Sequence, residues 1–250
     1  MRLDKFLVDA GVGSRSQVKE LLKKKKITVN GKVITSAKEQ IKEKEDHVVY
    51  KDQTIMYEDF LYYMLNKPAG VISATEDKEH QTVVDLLDQR AVQKKVFPVG
   101  RLDKDTHGLL LLTNNGGLAH ELLSPKKHVD KVYIAKVSGI MTSKDQEAFA
   151  NGIELSDHHC LPAKLEILSS NSDQHVSEVK ITIKEGKFHQ IKRMVKACGK
   201  EVTDLQRLSM GPVTLDPKLA LGHFRRLTED EVAALCQNQA KRGWAKSSFK

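Results

Sequence analysis

The feature of the sequence that most constrains the fold is a polar segment held between two apolar runs, within residues 97–117. The runs, residues 96–99 and 109–112, have the length and the flanking residues of buried strands. Residues 114–117 are Asn-Asn-Gly-Gly, which tolerates positive φ and predicts a turn after the second run. The polar segment carries three acid–base groups, Asp103, Asp105 and His107. We therefore expect these groups on a loop braced at both ends by rigid elements, where catalytic residues are often found.

Three interpretations of this loop are open from its own residues. A calcium-binding loop that starts at Asp103 would need a bidentate Glu at its twelfth position, where Asn114 stands instead. A surface turn whose acids cap or pair locally fits the spacing, because turns are rich in Asp and Gly for conformational reasons. The third interpretation is an acid–base or nucleophilic aspartate beside Arg101. The choice between the last two depends on the rest of the chain.

The length of the chain predicts more than one domain. With 250 residues, 40% of them hydrophobic, the chain can form one sizeable domain and one small domain. We expect a small module with a connector at residues 1–58, a larger domain at 59–236 and a mobile basic tail at 237–250. The tail has no apolar period, and its basic and aromatic residues are Lys241, Arg242, Trp244, Lys246 and Lys250.

The charge balance favours a polyanionic partner. There are 41 Lys and Arg residues against 33 Asp and Glu, which gives a net charge of +8. Such a chain suits nucleic acid, which it would bind by neutralising phosphates. The three cysteines are far apart and form no Cys-x-x-Cys pair, so we expect neither a disulfide framework nor a zinc site. No apolar run approaches the ~18 residues of a membrane span, and we expect a soluble, cytoplasmic monomer.

The first 58 residues predict a small basic module. Apolar residues recur at helical spacing over residues 3–10, Ser14 is placed to cap a second helix, and Asn30-Gly31 is a hairpin turn dipeptide between apolar runs. A further strand is expected at residues 46–50. Candidate phosphate-binding residues are Arg2, Arg15, Lys19 and the four lysines of 23–26. The arrangement resembles the α-L RNA-binding module of a ribosomal small-subunit protein and of several RNA-modifying enzymes, although a lysine run is also typical of a solvated helix end.

The larger domain predicts alternating strands and helices. Residues 61–65 and 71–73 have strand patterns, with a break at 66–70 because Pro68 cannot occupy a central strand. Helices are expected at residues 82–89 and 117–123. A further strand at 131–137 alternates cleanly and places Tyr133 on one face, either as a stacking platform for an unpaired base or as an ordinary sheet residue.

A second basic region follows in the same domain. Val179, Ile181 and Ile183 alternate as a strand, and the apolar residues of 191–198 fall at helical spacing. The other face of this helix and its approach carry Lys187, Lys192, Arg193 and Lys196. Such a face binds phosphate, places one cation against a carboxylate, or is simply solvated.

One short segment, Asp157-His158-His159-Cys160, gathers four potential metal ligands. Adjacent residues cannot all turn toward one ion, and no second cluster has zinc spacing, so we expect an exposed loop and no metal. The sequence also contains no glycine-rich phosphate loop or dinucleotide fingerprint.

Taken together, several motifs resemble the family of ribosomal small-subunit pseudouridine synthases. They are Asn66-Lys67-Pro68-x-Gly70-Val71, Gly100-Arg101-Leu102-Asp103, Thr106-x-Gly108, Lys131-x-Tyr133 and the run from Glu185-Gly186 to Met194. The resemblance covers nearly the whole chain. It implies an α+β fold, in which the α-L module precedes a catalytic domain with a mixed, largely antiparallel sheet and flanking helices.

The resemblance also implies roles for individual residues. Asp103 would act on the ribose of the target uridine, by attack at the anomeric carbon or by removal of a ribose proton. Tyr133 would stack on the flipped base, and Lys192, where the family often has Arg, would pair with Asp103. Further substrate contacts are implied for Arg101, Ile191 and Arg193. Asp105 and His107 are then loop supports, and the chemistry requires no cofactor and no metal.

The resulting hypothesis is isomerisation of a specific uridine in ribosomal RNA. Residues 188–194, Phe-His-Gln-Ile-Lys-Arg-Met, are closer to the small-subunit branch than to the large-subunit branch, which more often has Arg-Asn-Arg-Gln in this region. The same reaction on large-subunit RNA and a non-catalytic role in ribosome assembly are the alternatives. The substrate would be ribosomal RNA, either free or within an assembly intermediate.

Overall fold

A computed structural model describes residues 1–240 of the chain, and the side chains of residues 1–237. The chain forms two compact units. The first contains Met1–Leu61 and Leu87–Val96, and the second contains Tyr62–Leu86 and the chain from Phe97 onward. Residues 87–96, which the sequence pattern assigns to the larger domain, therefore cluster with the first unit.

The first unit combines small helices with a four-stranded antiparallel sheet, in the order β2-β1-β3-β4. Its elements are α1 (Leu3–Asp9), α2 (Arg15–Lys23), β1 (Ile27–Val29), β2 (Lys32–Val33), β3 (Val48–Tyr50), β4 (Gln53–Thr54) and, later in the chain, α3 (Gln89–Gln93). Helix α2 begins with a capping box, in which the Ser14 side chain accepts from Gln17 N and the Gln17 side chain accepts from Ser14 N. Asn30 and Gly31 both have positive φ, as the predicted hairpin turn requires.

The second unit is built on a nine-stranded sheet. Its strands are β5 (Tyr62–Lys67), β6 (Phe97–Pro98), β7 (His107–Thr113), β8 (Lys131–Ser138), β9 (Lys164–Asn171), β10 (Val176–Ile183), β11 (Glu201–Met210), β12 (Val213–Thr214) and β13 (Phe224–Arg226). Its helices are α4 (Gly116–Leu123), α5 (Ser143–Asn151), α6 (Gln190–Ala197), α7 (Glu229–Ala240) and a 3₁₀ turn at Pro125–Lys127.

The sheet has the order β13-β5-β7-β11-β8-β10-β9, with β6 paired to β7 and β12 paired to β11. Strands β7 and β11 are parallel, and the other pairs are antiparallel. The expected mixed, largely antiparallel sheet is confirmed. Leu109 to Leu112 on β7 are all at most 2% exposed, because β7 is central and side chains pack on both of its faces. Helix α4 contributes Leu118 and Leu122 to the cluster on one face.

Two predicted elements of the larger domain are wrong. Residues 71–73 form no strand, and Ile72 makes only an isolated bridge with Thr82. The predicted helix at 82–89 is also absent from the described structure, because the Asp85 carboxylate binds the backbone N and hydroxyl of Thr82 in a local turn. The helix begins instead at Gln89, where the Asp88 side chain caps the Ala91 N–H.

The ends of two further predicted segments also shift. Strand β5 continues through Asn66 and Lys67, which pair with Leu109 and Gly108, so the break begins at Pro68. Helix α7 includes residues 237–240, which the composition assigns to the tail. The basic residues predicted for that tail, residues 241–250, lie outside the described part of the chain. Within residues 1–240, no helix combines the length and the apolar character needed to cross a bilayer.

Candidate active site

The loop of residues 99–106 connects β6 to β7 and carries Asp103. Gly100 has a φ of +78°, and an added Cβ would meet the Leu123 side chain 2.7 Å away, so this position favours glycine. The Asp103 side chain is 27% exposed and reaches a cavity of about 110 Å³ within the second unit. The cavity is lined by residues that include Arg101, Asp103, Tyr133, Ile191, Lys192 and Arg207.

The ammonium group of Lys67, at the end of β5, holds the backbone of this loop in place. Its Nζ lies 2.9 to 3.4 Å from the carbonyl oxygens of Pro68, Asp103, Lys104 and Thr106, which share its three N–H donors. Lys67 is completely buried. Burial lowers the pKa of Lys67 to about 8, although the carboxylates of Asp105 and Asp103 favour its charged form. The carbonyl oxygens around Nζ can only accept hydrogen bonds, so they also favour the ammonium form. Its donors set the path of the backbone on either side of Asp103.

Two further contacts hold the same loop against residues 70–73. Ser73 Oγ donates to Leu102 O at 2.9 Å and accepts from Leu102 N at 3.0 Å. Gly70 N donates to Lys104 O at 2.7 Å. The segment after β5 thus supports the loop with polar contacts, which accounts for its irregular backbone where the sequence predicts a strand.

Lys192 on α6 is placed between two carboxylates. Its Nζ lies 3.4 Å from Asp103 Oδ2 and donates to Asp105 Oδ1 at 2.5 Å. The hydrogen bond from Lys192 holds the pKa of the Asp105 carboxyl below its usual value. The ion pair expected between Lys192 and Asp103 is present, and Lys192 also restrains Asp105, which is 74% exposed.

The floor of the cavity is formed by β8 and β11. Tyr133 on β8 is 7% exposed and lies opposite Arg207 on β11. Arg207 is 2% exposed and donates through Nε to Leu109 O at 2.7 Å. Its Nη2 has no hydrogen-bond partner among the described residues. A buried donor of this kind is available to an acceptor atom within the cavity.

The remaining predicted contacts lie in different places. Ile191 is 4% exposed and lines the cavity beside Lys192. Arg193 binds the Asp157 carboxylate and does not line the cavity. Of the predicted loop supports, His107 lies in β7 and its Nε2 is 3.1 Å from Asp204 Oδ1.

The predicted phosphate contacts of the first unit are at its surface. Arg2 is paired with Asp4 at 2.6 Å, and Arg15 and Lys19 are exposed on α2. Val18 and Leu22 are buried on the same helix. Arg15 and Lys19 are three residues before Val18 and Leu22, so they lie beside this apolar stripe.

Comparison with known proteins identifies the family of the chain. The family model of RNA pseudouridylate synthase matches residues 61–197, and that of the S4 domain matches residues 1–48. This chain belongs to the RNA pseudouridylate synthase family.

Relatives of the family align over nearly the whole chain. An uncharacterised RNA pseudouridine synthase of Bacillus subtilis, YtzG, is 46% identical over 96% of this chain and 100% of its own. Ribosomal large subunit pseudouridine synthase B of B. subtilis is 39% identical over 94% of this chain and 95% of its own. Ribosomal small subunit pseudouridine synthase A of Vibrio cholerae is 40% identical over 94% and 99%. A crystal structure of a pseudouridylate synthase has a TM-score of 0.65 and 36% identity, and covers 94% of this chain and 99% of its own.

One group of potential metal ligands lies in this synthase unit, outside the cavity. His158 Nε2, Cys160 Sγ and a Glu185 carboxylate oxygen lie within 4.8 Å of one another. Each has a protein partner, because His158 binds Asp157, Cys160 Sγ lies 3.6 Å from His158 Nε2, and Glu185 accepts from Leu161 N. The segment was expected to be an exposed loop, which is wrong for Cys160, since this residue is completely buried. That the synthase needs no metal stays a prediction.

Lys67, which binds the loop of Asp103, and Arg207, which lines the cavity, are two groups whose importance the sequence pattern does not reveal. A lysine next to a proline is typical of a turn, and Arg207 falls in a strand of mixed polarity. The resemblance includes Lys67 within a motif but assigns it no role. Both residues are placed next to buried strands. A charged residue in such a place is rarely fully buried without a partner, and this could have indicated a role for each of them.

We expect Lys67→Met to disrupt the loop that carries Asp103. The substitution keeps an unbranched side chain but removes the donor to the carbonyl oxygens of Pro68 and Thr106, whereas those of Asp103 and Lys104 keep the N–H groups of Thr106 and Gly70. An unsatisfied buried acceptor costs about 1–3 kcal/mol. The free energy of unfolding should fall by at least about 2 kcal/mol, and pseudouridine formation should fall by about 100-fold. Denaturant unfolding measures the change in stability, and the rate of pseudouridine formation in RNA measures the change in activity. Lys164→Met, at an exposed position, is the control. Equal stability and turnover in both variants would show that the carbonyl contacts are dispensable.

Lys192→Met should lower the reaction rate without lowering the stability of the fold. The side chain is partly exposed, so we expect little change in stability but a loss of about 10- to 100-fold in single-turnover rate, because Asp103 loses its cation. Lys192→Arg restores a positive charge and should recover most of the rate. A rate for Lys192→Met within twofold of the wild type would argue against a role for this ion pair.

Proposed function

We propose that this protein converts a specific uridine of ribosomal RNA to pseudouridine. The observation that carries the proposal is the placement of Asp103 in a small cavity with Tyr133 on its floor and Lys192 beside the carboxylate. A carboxylate held by a lysine on a supported loop suits chemistry on a bound ligand, and RNA binding alone has no need for it. The family membership supports the same reaction class.

The proposed reaction rearranges bonds within one nucleotide. The bond between ribose C1′ and uracil N1 breaks, the ring turns, and C1′ bonds to C5. The C5 proton leaves and N1 gains a proton, so that atoms and electrons balance without a redox partner or a cofactor. Asp103 would either attack C1′ or remove a ribose proton in this sequence. The target uridine must leave its stack to reach the cavity.

Each cavity residue would contribute a distinct contact. Tyr133 would stack on the uracil ring, with Ile191 packing against it. The unpartnered Nη2 of Arg207 would donate to an oxygen of the base or sugar. Arg101 would hold the strand that contains the flipped nucleotide, and Arg193 would contact RNA if it exchanged its Asp157 partner for phosphate. Lys192 would hold the Asp103 carboxylate in its orientation.

We further propose small-subunit ribosomal RNA as the substrate. Identities of 40% and 39% to a small-subunit and a large-subunit enzyme do not separate the two targets. The run from Phe188 to Met194 favours the small-subunit branch through its resemblance. A ribosomal substrate would place a monomeric enzyme in the cytoplasm, acting on free RNA or on an assembly intermediate.

Comparing pseudouridine maps of both ribosomal RNAs, from cells with and without the gene, tests the target. Loss of one site in small-subunit RNA is the expected result. Loss of a site in large-subunit RNA would select the alternative target. Identical maps would favour the non-catalytic assembly role.

Asp103→Asn should abolish pseudouridine formation in vitro while RNA affinity stays within about twofold, because the substitution removes a group needed in the transition state and leaves the surface charge of other residues intact. The matched control is Asp105→Asn in the same loop, which should keep the rate within about tenfold of wild type. Turnover and equilibrium RNA binding are measured on the same preparations. Activity retained by Asp103→Asn would contradict the catalytic assignment.

The first unit is proposed to dock on RNA through phosphate contacts. Replacing Arg15 and Lys19 together by Gln should lower the slope of log affinity against log salt by about 1.5, because each lost phosphate contact removes about 0.7–0.9. Replacing exposed Lys144 and Lys164 by Gln removes the same charge from the second unit and is the control. Equal slopes for the two double variants would place the docking contacts elsewhere.

A further inference from the structure

Phe188 is an aromatic side chain without a packing partner to bury it. At 72% exposure it is the most exposed large apolar side chain among residues 1–237. It follows β10 and precedes α6, and its ring stacks on that of His189 with a centroid distance of 3.8 Å and an interplanar angle of 18°. His189 therefore covers one face of the Phe188 ring.

The stacked pair adjoins the catalytic aspartate. His189 Nε2 lies 3.6 Å from Asp103 Oδ1. Phe188 and His189 also line a second, open cavity of about 870 Å³ that shares Arg101 and Asp103 with the smaller cavity. The open cavity is larger than the 110 Å³ cavity that Asp103 reaches. It can therefore accept more of a polynucleotide than a single base.

The turn that carries the pair is held in place by buried polar contacts. Gln190 donates through Nε2 to Glu185 Oε1 at 2.7 Å and accepts at Oε1 from Lys187 N at 3.0 Å. Glu185 and Gln190 are 8% and 4% exposed. His189 adopts a left-handed backbone with a φ of +49° as α6 begins. These contacts present Phe188 to solvent from an ordered turn, which reduces the entropy lost on binding.

Charged side chains of both signs share the open cavity with the exposed ring. Arg101 and Lys104 line the open cavity with Phe188, together with the carboxylates of Asp77, Asp103 and Asp105. Lys187 precedes Phe188, and Lys192 lies one turn into α6, next to Asp103. An exposed aromatic ring in the open cavity that shares Asp103 with the smaller cavity suits a stacked base next to the target nucleotide, and Arg101 and Lys104 are available to its phosphates.

We propose that Phe188, backed by His189, is a stacking site for an unpaired base next to the target uridine in the same RNA strand. This inference rests on the proposed function. Once the uridine is in the small cavity, its neighbour loses one stacking partner, and the Phe188 ring replaces that partner. The site thereby holds the strand open and selects RNA in which the neighbouring base is unpaired.

The test uses the full-length protein and a short RNA containing the uridine found by mapping. The RNA carries the fluorescent base 2-aminopurine beside that uridine, and binding is measured with the Asp103→Asn protein so that no turnover occurs. Phe188→Ala should weaken binding about 5- to 100-fold and abolish the fluorescence quenching. The salt slope should stay unchanged, because no charge is lost. Leu221→Ala, which removes another exposed apolar side chain, is the control.

Two further substitutions test the aromatic ring itself. Phe188→Trp should keep both affinity and quenching, whereas Phe188→Leu, which retains apolar area without a ring, should behave like Phe188→Ala. Full affinity in Phe188→Leu, or a loss seen with ribosomal particles but not with naked RNA, would overturn base stacking and favour a protein contact. Pseudouridine formation by the otherwise unsubstituted enzyme is measured alongside. If the enzyme forms none, the proposed function fails, whereas turnover and affinity unaffected by Phe188→Ala would refute only the stacking site.

Discussion

The site depends on one buried ammonium group. Lys67 ends a central strand, and its Nζ reaches four carbonyl oxygens at and around the loop that carries Asp103. Removing a charge from water is costly, and burial accordingly lowers the pKa of Lys67. The compact ammonium offsets this cost by directing its donors to several backbone acceptors at once. The backbone path at Asp103 is therefore tied to the sheet rather than left to a surface loop.

The carboxylates and cations of the site stabilise one another. Asp103 and Asp105 favour the charged form of Lys67 from one side, while Lys192 on α6 approaches both carboxylates from the other. Arg207 on β11, the strand that runs parallel to β7, is a third cation near the site and is buried like Lys67. The sheet order brings these groups together from distant parts of the sequence. Loss of one charge would consequently disturb the balance of the others.

Much of this fold could be predicted from the sequence because it follows local periodicity. The alternation of β8 fixes which face carries Tyr133, and the basic and apolar faces of α6 follow from helical spacing. The strand at 71–73 could not be excluded, since its irregular path depends on contacts with Leu102 and Lys104. The hydrogen bonds of the Lys67 ammonium could not be predicted for the same reason. Three of its four acceptors are backbone atoms 36 to 39 residues away, and a backbone carbonyl has no sequence signature.

The shared position of Lys192 bears on how the site would change on binding RNA. In the free protein its shorter contact is with Asp105, whose carboxylate is 74% exposed, so water screens this pair. Asp103 is only 27% exposed and lies deeper. On the proposed function, RNA covering the loop would exclude water and bring phosphates near Asp105. Repulsion would then disfavour the outer carboxylate, while the lower dielectric would strengthen the pair with Asp103. Substrate binding itself would thus direct the cation toward the catalytic group.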